Sequence, residues 1–223
     1  DKQMLAKNTS IVIDDSMQCE SLSLEGVQVQ KMQIVSKKMK KLLIKTCNLP
    51  DEYTINTPNL QTLGLKETYV KKLQYGKMDK LKYLSLGLNV IQNGKEKASP
   101  VTVLDLQKSK NIAELSVTGC RINKLDLSSV NKTLRLASIT QSGKYPIKQV
   151  RLGKMAALKG LSVSAKCAAI DASKCSRLNT LECASYGIFK VKLPKSVQYL
   201  TLTSLDKKGC KSLKLSNCKK LKA

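Results

Sequence analysis

The sequence predicts a mainly β solenoid of about ten turns, in which two parallel sheets face each other across one continuous core. One observation is a short apolar phrase, such as Ile112-x-x-Leu115-x-Val117, that recurs along the chain. Apolar residues at every second position are typical of a strand that buries one face. The other observation is spacing, because neighbouring phrases lie about 10 residues apart, which leaves room for a strand and a turn but for no full helix.

The phrases fall into two alternating series, each with a usual step of about 21 residues. The first series is centred on Leu22, Leu42, Leu63, Leu84, Leu104, Leu125, Val150, Ile170, Val191 and Leu213. The second is centred on Met32, Tyr53, Leu73, Leu115, Leu134, Leu161, Leu181 and Leu200. We therefore expect each turn to contribute one strand from each series, so that each series builds one sheet and each turn contacts only its neighbours.

Residues 1–223 are predicted to form a single repeat domain, with an N-terminal cap region at 1–18 and repeats at 19–221. Irregular insertions interrupt the spacing at 88–100, where a strand is expected, and at 140–146. Insertions in solenoids become loops on one face or edge and often bind ligands, although neutral drift at a turn explains them equally well. The candidate loop residues are Asn93, Lys95, Lys97, Lys144 and Tyr145.

The chain is strongly basic, with 40 Lys and Arg against 16 Asp and Glu and a formal net charge of +24. This balance indicates either an anionic partner or a solvated lysine surface that keeps a repetitive scaffold soluble. Nucleic acid is the disfavoured anionic partner, because its recognition uses arginine forks and stacking aromatics, and aromatic residues are only 4% of this chain. No apolar run approaches the ~18 residues of a membrane span.

The residues needed for common catalytic sites are missing from the sequence. Histidine is absent, which excludes Ser–His and Cys–His nucleophiles and histidine-based zinc sites. Neither a G-x-S-x-G nor a G-x-x-x-x-G-K motif occurs. We therefore expect no enzyme activity, no cofactor and no metal site.

The eight cysteines fall where the repeat points inward, so we expect buried free thiols rather than disulfides. On the outward side of the first series, Asp105, Asp126, Arg151 and Asp171 are predicted to stack. They would form a charge ladder or bond to nearby backbone, and the alternative is an acid pair or a cation site.

The second series carries a mostly uncharged outward face. Its candidate binding residues are Gln33, Thr54, Gln74, Ser116, Arg135, Ser162, Glu182 and Thr201, with Tyr199 nearby. Small polar groups on a rigid sheet suit contact with a protein or a glycan, and they are also what any solvent-facing strand tolerates.

Several turns resemble the leucine-rich repeat pattern L-x-x-L-x-L-x-x-N/C. The pattern appears as Leu81-x-x-Leu84-x-Leu86-x-x-Asn89 and ends at Cys120 in a later copy, and the resemblance covers about residues 19–221. The segments LNTLEC at 178–183 and LDLS at 125–128 are similar to a bacterial surface subtype. The resemblance implies a leucine-rich-repeat-type solenoid in an extracellular or cell-surface bacterial protein whose signal peptide has been removed. Two short strands per turn depart from the pattern and make a parallel β-helix the alternative fold.

Taken together, these features predict a non-catalytic secreted or cell-surface binding module that recognises a protein or a glycan through a face of the solenoid. The alternative function is electrostatic binding of an anionic polymer, namely teichoic acid, an acidic glycan or nucleic acid. Affinity that falls steeply with salt would distinguish the second function from the first. An enzyme would need a cleft holding two carboxylates with separated pKa values, and no spacing in the sequence indicates such a pair.

Overall fold

The computed structural model of the protein describes residues 6–92, 94–167, 169–186, 189–205, 210–213 and 215–222. In this part of the chain strands dominate, and the helical content is one 3-10 turn at Ser128–Val130. The strands are β1 (Ala6–Ile13), β2 (Ser21–Glu25), β3 (Val27–Val35), β4 (Lys41–Lys45), β5 (Thr54–Asn56), β6 (Thr62–Lys66), β7 (Tyr83–Gly87), β8 (Asn89–Gln92), β9 (Lys95–Ala98), β10 (Glu114–Thr118), β11 (Lys124–Asp126), β12 (Leu136–Thr140), β13 (Gln149–Arg151), β14 (Gly160–Ser164), β15 (Ala169–Asp171), β16 (Thr180–Ser185), β17 (Phe189–Lys192), β18 (Tyr199–Ser204) and β19 (Cys210–Leu213).

The chain divides into two compact units. Unit 1 comprises Asp1–Val101, Lys108–Asn111 and Val117–Cys120, and unit 2 comprises Thr102–Gln107, Ile112–Ser116 and Arg121–Ala223. The strand β10 has residues in both units.

Each unit has a main sheet of parallel strands stacked one turn apart. The main sheet of unit 1 has the order β7-β6-β4-β2, and that of unit 2 has the order β18-β16-β14-β12-β10. Apolar residues stack in register, because Leu42 pairs with Leu63 in unit 1 and Leu161 pairs with Leu181 in unit 2. The protein is therefore a β-solenoid of about 9 turns with a spacing of about 21 residues, which confirms the predicted fold class.

Shorter parallel sheets, the minor sheets, face the main sheets. The minor sheet of unit 1 has the order β1-β3-β5, and unit 2 has the pair β11-β13 and the sheet β15-β17-β19. Ile34 and Leu63 are buried between the sheets of unit 1, as are Ile170 and Leu181 between those of unit 2. Burying one such aliphatic side chain contributes about 1.5–3 kcal/mol, so the stacked columns of Leu, Ile and Val hold the turns together.

Four residues of unit 1 that directly follow a main-sheet strand adopt a left-handed backbone. Gly26 after β2 has φ of 66° and Gly119 after β10 has φ of 70°. Thr46 after β4 has φ of 53° and Glu67 after β6 has φ of 49°. The left-handed region costs an L-residue about 1–2 kcal/mol, and a β-branched residue is rarely found there. Two consecutive turns thus keep a strained residue where other turns of this unit use glycine.

In the turns after β4 and β6, the next residue points inward, and its side chain hydrogen-bonds to strand carbonyls. The Thr68 hydroxyl donates to the carbonyls of Lys66 at 2.9 Å and Ile44 at 3.2 Å, and the Cys47 thiol donates to the Lys45 carbonyl at 3.1 Å. These bonds add a second donor to strand-end carbonyls, because the Lys45 carbonyl also accepts the Gly26 N–H at 3.0 Å and the Lys66 carbonyl also accepts the Thr46 N–H at 2.8 Å. A small polar side chain at this position therefore belongs to the repeat itself.

The insertion at 88–100 forms an antiparallel hairpin, in which β8 pairs with β9 from Asn89↔Ala98 to Gln92↔Lys95. The Ser99 N–H anchors its base by donating to the Leu88 and Gly119 carbonyls at 2.8 and 3.0 Å. A β-carbon on Gly119 would lie 2.4 Å from the Asn89 side chain, so a glycine is needed beside the hairpin. The hairpin projects from the repeat while its base stays hydrogen-bonded to the main chain.

The hairpin also corrects the prediction that each series builds one sheet. In unit 1 the main sheet carries the first series, Leu22 to Leu84, whereas in unit 2 the main sheet carries Leu161, Leu181 and others of the second. Leu84 and Leu115 are 31 residues apart rather than about 21. The hairpin adds about half a turn of chain. A count at fixed spacing reads this added length as one more strand, so after the hairpin the second series lies in the main sheet and the first series in the minor sheets.

A second correction concerns the start of β12. Leu134 is buried but lies in the preceding turn, where its N–H donates to the Val130 carbonyl at 2.9 Å. The strand begins at Leu136, Ala137 points inward, and Ser138 pairs with Ser162. Burial alone does not mark a strand, because the core also holds side chains from the turns.

Candidate ligand-binding face

The outward residues of the main sheet of unit 2 form a surface that we call the hydroxyl face. It consists of Glu114, Ser116, Leu136, Ser138, Thr140, Gly160, Ser162, Ser164, Thr180, Glu182, Ala184, Tyr199, Thr201 and Thr203. Parallel pairing places Ser138, Ser162, Glu182 and Thr201 in one column across successive strands. Serine and threonine hydroxyls both donate and accept hydrogen bonds, so the column can match a ligand rich in either kind of group.

The hydroxyl face carries neither Lys nor Arg at any of these described positions, in a chain with 40 such residues. The minor sheets of the same unit present a contrast, since their outward residues include Lys124, Arg151, Lys190 and Lys192. Lysine elsewhere fills solvent-exposed positions, so its absence from five strands separates this surface from the ordinary surface of the protein.

Two large side chains stand among the hydroxyls. Leu136 is 48% exposed and Tyr199 is 50% exposed. A β-carbon on Gly160 would lie 2.8 Å from the Leu136 Cδ2, so the leucine lies across the glycine of the next strand. The Lys222 ammonium approaches Tyr199 from the neighbouring turn, 5.5 Å from the ring centroid. The face thus combines small polar groups with an apolar and an aromatic platform.

The structure brings together five of the predicted face residues, namely Ser116, Ser162, Glu182, Thr201 and Tyr199.

The other predicted face residues lie elsewhere. Gln33 and Thr54 are a register pair in the minor sheet of unit 1. Gln74 is half-buried outside any strand, and its N–H donates to the Tyr53 hydroxyl at 2.9 Å. Arg135 precedes β12, and its carbonyl accepts the N–H groups of Lys159 and Gly160.

Ser138 takes the place that was predicted for Arg135, and sequence reasoning missed it. The signal that could have found it is the strict alternation of Leu136-Ala-Ser-Ile-Thr140, in which small Ala137 occupies an inward position. Because a leucine was expected at the inward position, the predicted strand was centred on Leu134, three residues before Ala137.

Of the candidate residues in the first insertion, Asn93 lies outside the described residues. Lys95 and Lys97 are exposed on β9. The Lys97 ammonium lies 4.4 Å from the centroid of the Tyr69 ring, which is a cation–π distance.

Candidate residues of the second insertion lie around Tyr145. Lys144 is exposed, and the Tyr145 ring stacks with the Arg121 guanidinium at 4.7 Å. Buried Gln141 holds this loop, because its amide donates to the Ile122 and Tyr145 carbonyls and its oxygen accepts the Ile122 N–H at 2.9 Å. These hydrogen bonds therefore hold the loop against the core.

Only part of the predicted charge ladder forms among the described residues, because Arg151 pairs with Asp126 but not with Asp171, whereas the predicted bonding of the aspartates to nearby backbone is present. Arg151 lies 3.5 Å from the Asp126 carboxylate, and Lys192 lies 3.1 Å from that of Asp171. Both carboxylates accept the N–H of the serine two residues later. Partial burial opposes the effect, but these serine bonds and the neighbouring cations lower the pKa of both groups. The described residues contain no cluster of metal-ligand type.

Seven of the cysteines are free thiols, and six of them confirm the prediction of buried free thiols, while the side chain of Cys210 lies outside the described residues. Cys19 is half-buried, and the other six are buried. Burial raises the pKa of the thiols of Cys47, Cys120, Cys167 and Cys175. A raised pKa lowers the fraction of reactive thiolate, so these side chains act as small apolar groups in the core.

The described residues contain no helix with the length and apolar character needed to cross a membrane. No protein-family model matches the sequence, and no curated protein matches it either. The architecture nevertheless defines a class: the protein is a β-solenoid built from sequence repeats.

Proposed function

We propose that the protein is a non-catalytic binding module, secreted or displayed at a bacterial surface and of the leucine-rich-repeat type, that holds a glycan on the hydroxyl face. The observation that carries this proposal is the absence of Lys and Arg from the described positions of that face in a protein of net charge +24. A neutral, hydroxyl-rich ligand needs paired donors and acceptors, which Ser138, Ser162 and Thr201 supply.

The size of the face favours a chain-like ligand over a globular one. Five strands about 4.8 Å apart, each with about five residues rising 3.3 Å, give an area of roughly 400 Å². A standard protein interface buries about 800 Å² on each partner. The face therefore accommodates a few sugar units, with Tyr199 and Leu136 in contact with their apolar C–H surfaces.

Direct binding to neutral oligosaccharides of the cello-, xylo-, manno- and N-acetylchito- types tests this function. We expect one class to bind with an affinity that changes little between low and about 0.5 M salt, since no charge pairing is involved. The double substitution Ser138→Lys and Ser162→Lys places long charged side chains in the centre of the face and should weaken binding about tenfold or more.

The matched control is Gln33→Lys with Thr54→Lys, which makes the same change on an exposed register pair in unit 1. This control should bind as the unmodified protein does. Equal loss in both variants, or a failure of every neutral glycan to bind, would contradict the proposal.

A second candidate function, binding of an anionic polymer, rests on a row of lysines in unit 2. Lys154, Lys174 and Lys195 are exposed, and each follows a minor-sheet strand by three residues in successive turns. Like charges stacked turn upon turn attract a linear polyanion. Replacing all three by Glu should abolish binding to teichoic acid or an acidic glycan, and about 0.5 M salt should do the same to the unmodified protein.

A further inference from the structure

Two strained residues of unit 1 share one wall of a cavity. Thr46 and Glu67 hold the left-handed position that Gly26 and Gly119 hold elsewhere in the unit. The Thr46 hydroxyl donates to the Glu67 carboxylate at 3.2 Å, so the two side chains meet across adjacent turns. Other turns of the same repeat have glycine at this position, so the strain at Thr46 and Glu67 is avoidable. Avoidable backbone strain of this kind clusters at functional sites.

The hairpin β8–β9 forms the opposite wall. The cavity has a volume of about 390 Å³, within the range of about 300–1,000 Å³ for small-ligand sites. Its lining residues are Thr46, Cys47, Asn48, Glu67, Tyr69, Val90, Ile91 and Lys97. Ile91 is 71% exposed, an unusual exposure for a large apolar side chain beside a cavity. We call this space the hairpin groove.

The base of the hairpin is hydrogen-bonded to the repeat at both ends of the insertion. The Leu88 N–H donates to the Thr118 carbonyl at 2.9 Å, and the Ser99 hydroxyl accepts the Val70 N–H at 3.0 Å. Because both ends of the insertion are hydrogen-bonded to the repeat, the groove is formed before any ligand arrives, which reduces the entropy lost on binding.

The groove presents one charge of each sign. Among the described side chains, neither Glu67 nor Lys97 belongs to an ion pair. The nearby Lys45 already pairs with Glu25. A ligand that complements the groove offers a cation to Glu67, an anion to Lys97, whose ammonium lies over the Tyr69 ring, and an apolar group to Val90 and Ile91.

We propose that the hairpin groove binds a short peptide with free termini and apolar side chains, with its ammonium group at Glu67 and its carboxylate at Lys97. This site lies in unit 1 and does not depend on the hydroxyl face of unit 2. The strain at Thr46 and Glu67 is retained because glycine, which suits the backbone better, has no side chain to line the groove.

The test uses the full chain and the tripeptide Leu-Leu-Leu, compared with its N-acetylated and C-amidated forms, in calorimetric titration. The free peptide should bind, and capping either terminus should weaken binding about fivefold or more. Thr46→Gly and Glu67→Gly should each raise the temperature of thermal unfolding, by relief of strain, and weaken binding about tenfold.

Gly153→Ala is the matched control, because Gly153 has φ of 64° and open space around its missing β-carbon. It should lower the unfolding temperature and leave binding unchanged. Three results would overturn the proposal: no binding of the free peptide at about 5 mM, equal binding of free and capped peptides, or glycine variants that bind as the unmodified protein does.

Discussion

Cys120 shows how the repeat determines the chemistry of one side chain. The residue is 2% exposed, and its thiol donates to the Thr118 carbonyl at 3.6 Å. Desolvation raises the pKa of this thiol from 9.0 to about 12. A thiolate here would be buried without a cation, so the proton is retained in the folded state well into the alkaline range.

Folding stability should therefore fall at high pH, and Cys120 should contribute to the fall. Below the unfolded pKa of 9.0 both states keep the proton, and the thiol adds no pH dependence. Above it the unfolded chain loses the proton first, so stability decreases by up to about 1.4 kcal/mol per pH unit until the folded pKa is reached. Cys120→Ala should make the free energy of unfolding fall less steeply between pH 9 and pH 11, as measured in urea by circular dichroism.

Val117→Ala is the control for this experiment, because it removes a buried side chain of the same strand that does not titrate. It should lower stability by a similar amount at every pH. Parallel pH profiles for Cys120→Ala and the unmodified protein would show that the thiol does not contribute.

At the scale of an element, a single buried amide holds the loop at 141–146 in place. Gln141 is 4% exposed and bonds both the N–H and the carbonyl of Ile122 as well as the Tyr145 carbonyl. The loop therefore has a defined path although it contains no regular structure, and Arg121 stacks on Tyr145 at its edge.

We expect Gln141→Leu to destabilise the protein by about 2–4 kcal/mol, because the substitution leaves buried backbone groups of Ile122 and Tyr145 without partners. Urea denaturation followed by circular dichroism measures the change. Gln149→Leu, at an exposed position of β13, should alter stability by less than about 0.5 kcal/mol. Similar losses in the two variants would mean that the amide clamp has no special role.

At the scale of the whole molecule, the dominant electrostatic fact is the net charge of +24. Six ion pairs in the described chain leave this excess unchanged, because each joins one cation to one anion, and an exposed pair contributes only about 0–1 kcal/mol. Mutual repulsion of the remaining lysines therefore opposes the compact state.

Raising the sodium chloride concentration from about 10 mM to 0.3 M should raise the midpoint of thermal unfolding by a few degrees, since screening shortens the reach of repulsion from about 30 Å to under 10 Å. Calorimetry measures the shift. The variant with Lys154, Lys174 and Lys195 replaced by Glu should show a smaller salt effect. A midpoint that stays constant or falls with salt would contradict this expectation.

Much of the architecture is readable from sequence because burial on a strand imposes a period of two and stacking imposes a period of about 21 residues. Leu63 and Leu181 belong to buried columns, Asp126 and Arg151 form a rung of a charge ladder, and Cys120 is a buried thiol, all as predicted. Each of these outcomes depends only on the spacing of residues along the chain.

The grouping of residues into surfaces depends on tertiary structure. The hairpin β8–β9 adds about half a turn, and spacing alone does not distinguish half a turn from one more strand, so Gln33 and Ser162 were wrongly placed on one face. In the same way, Ser138 joins the hydroxyl face and Thr46 meets Glu67 only through the pairing of strands about 20 residues apart. The sequence by itself determined the repeat and its inward residues, because these follow from local period. Only the tertiary structure decided which outward residues are neighbours, because each insertion shifts the pairing of the strands that follow it.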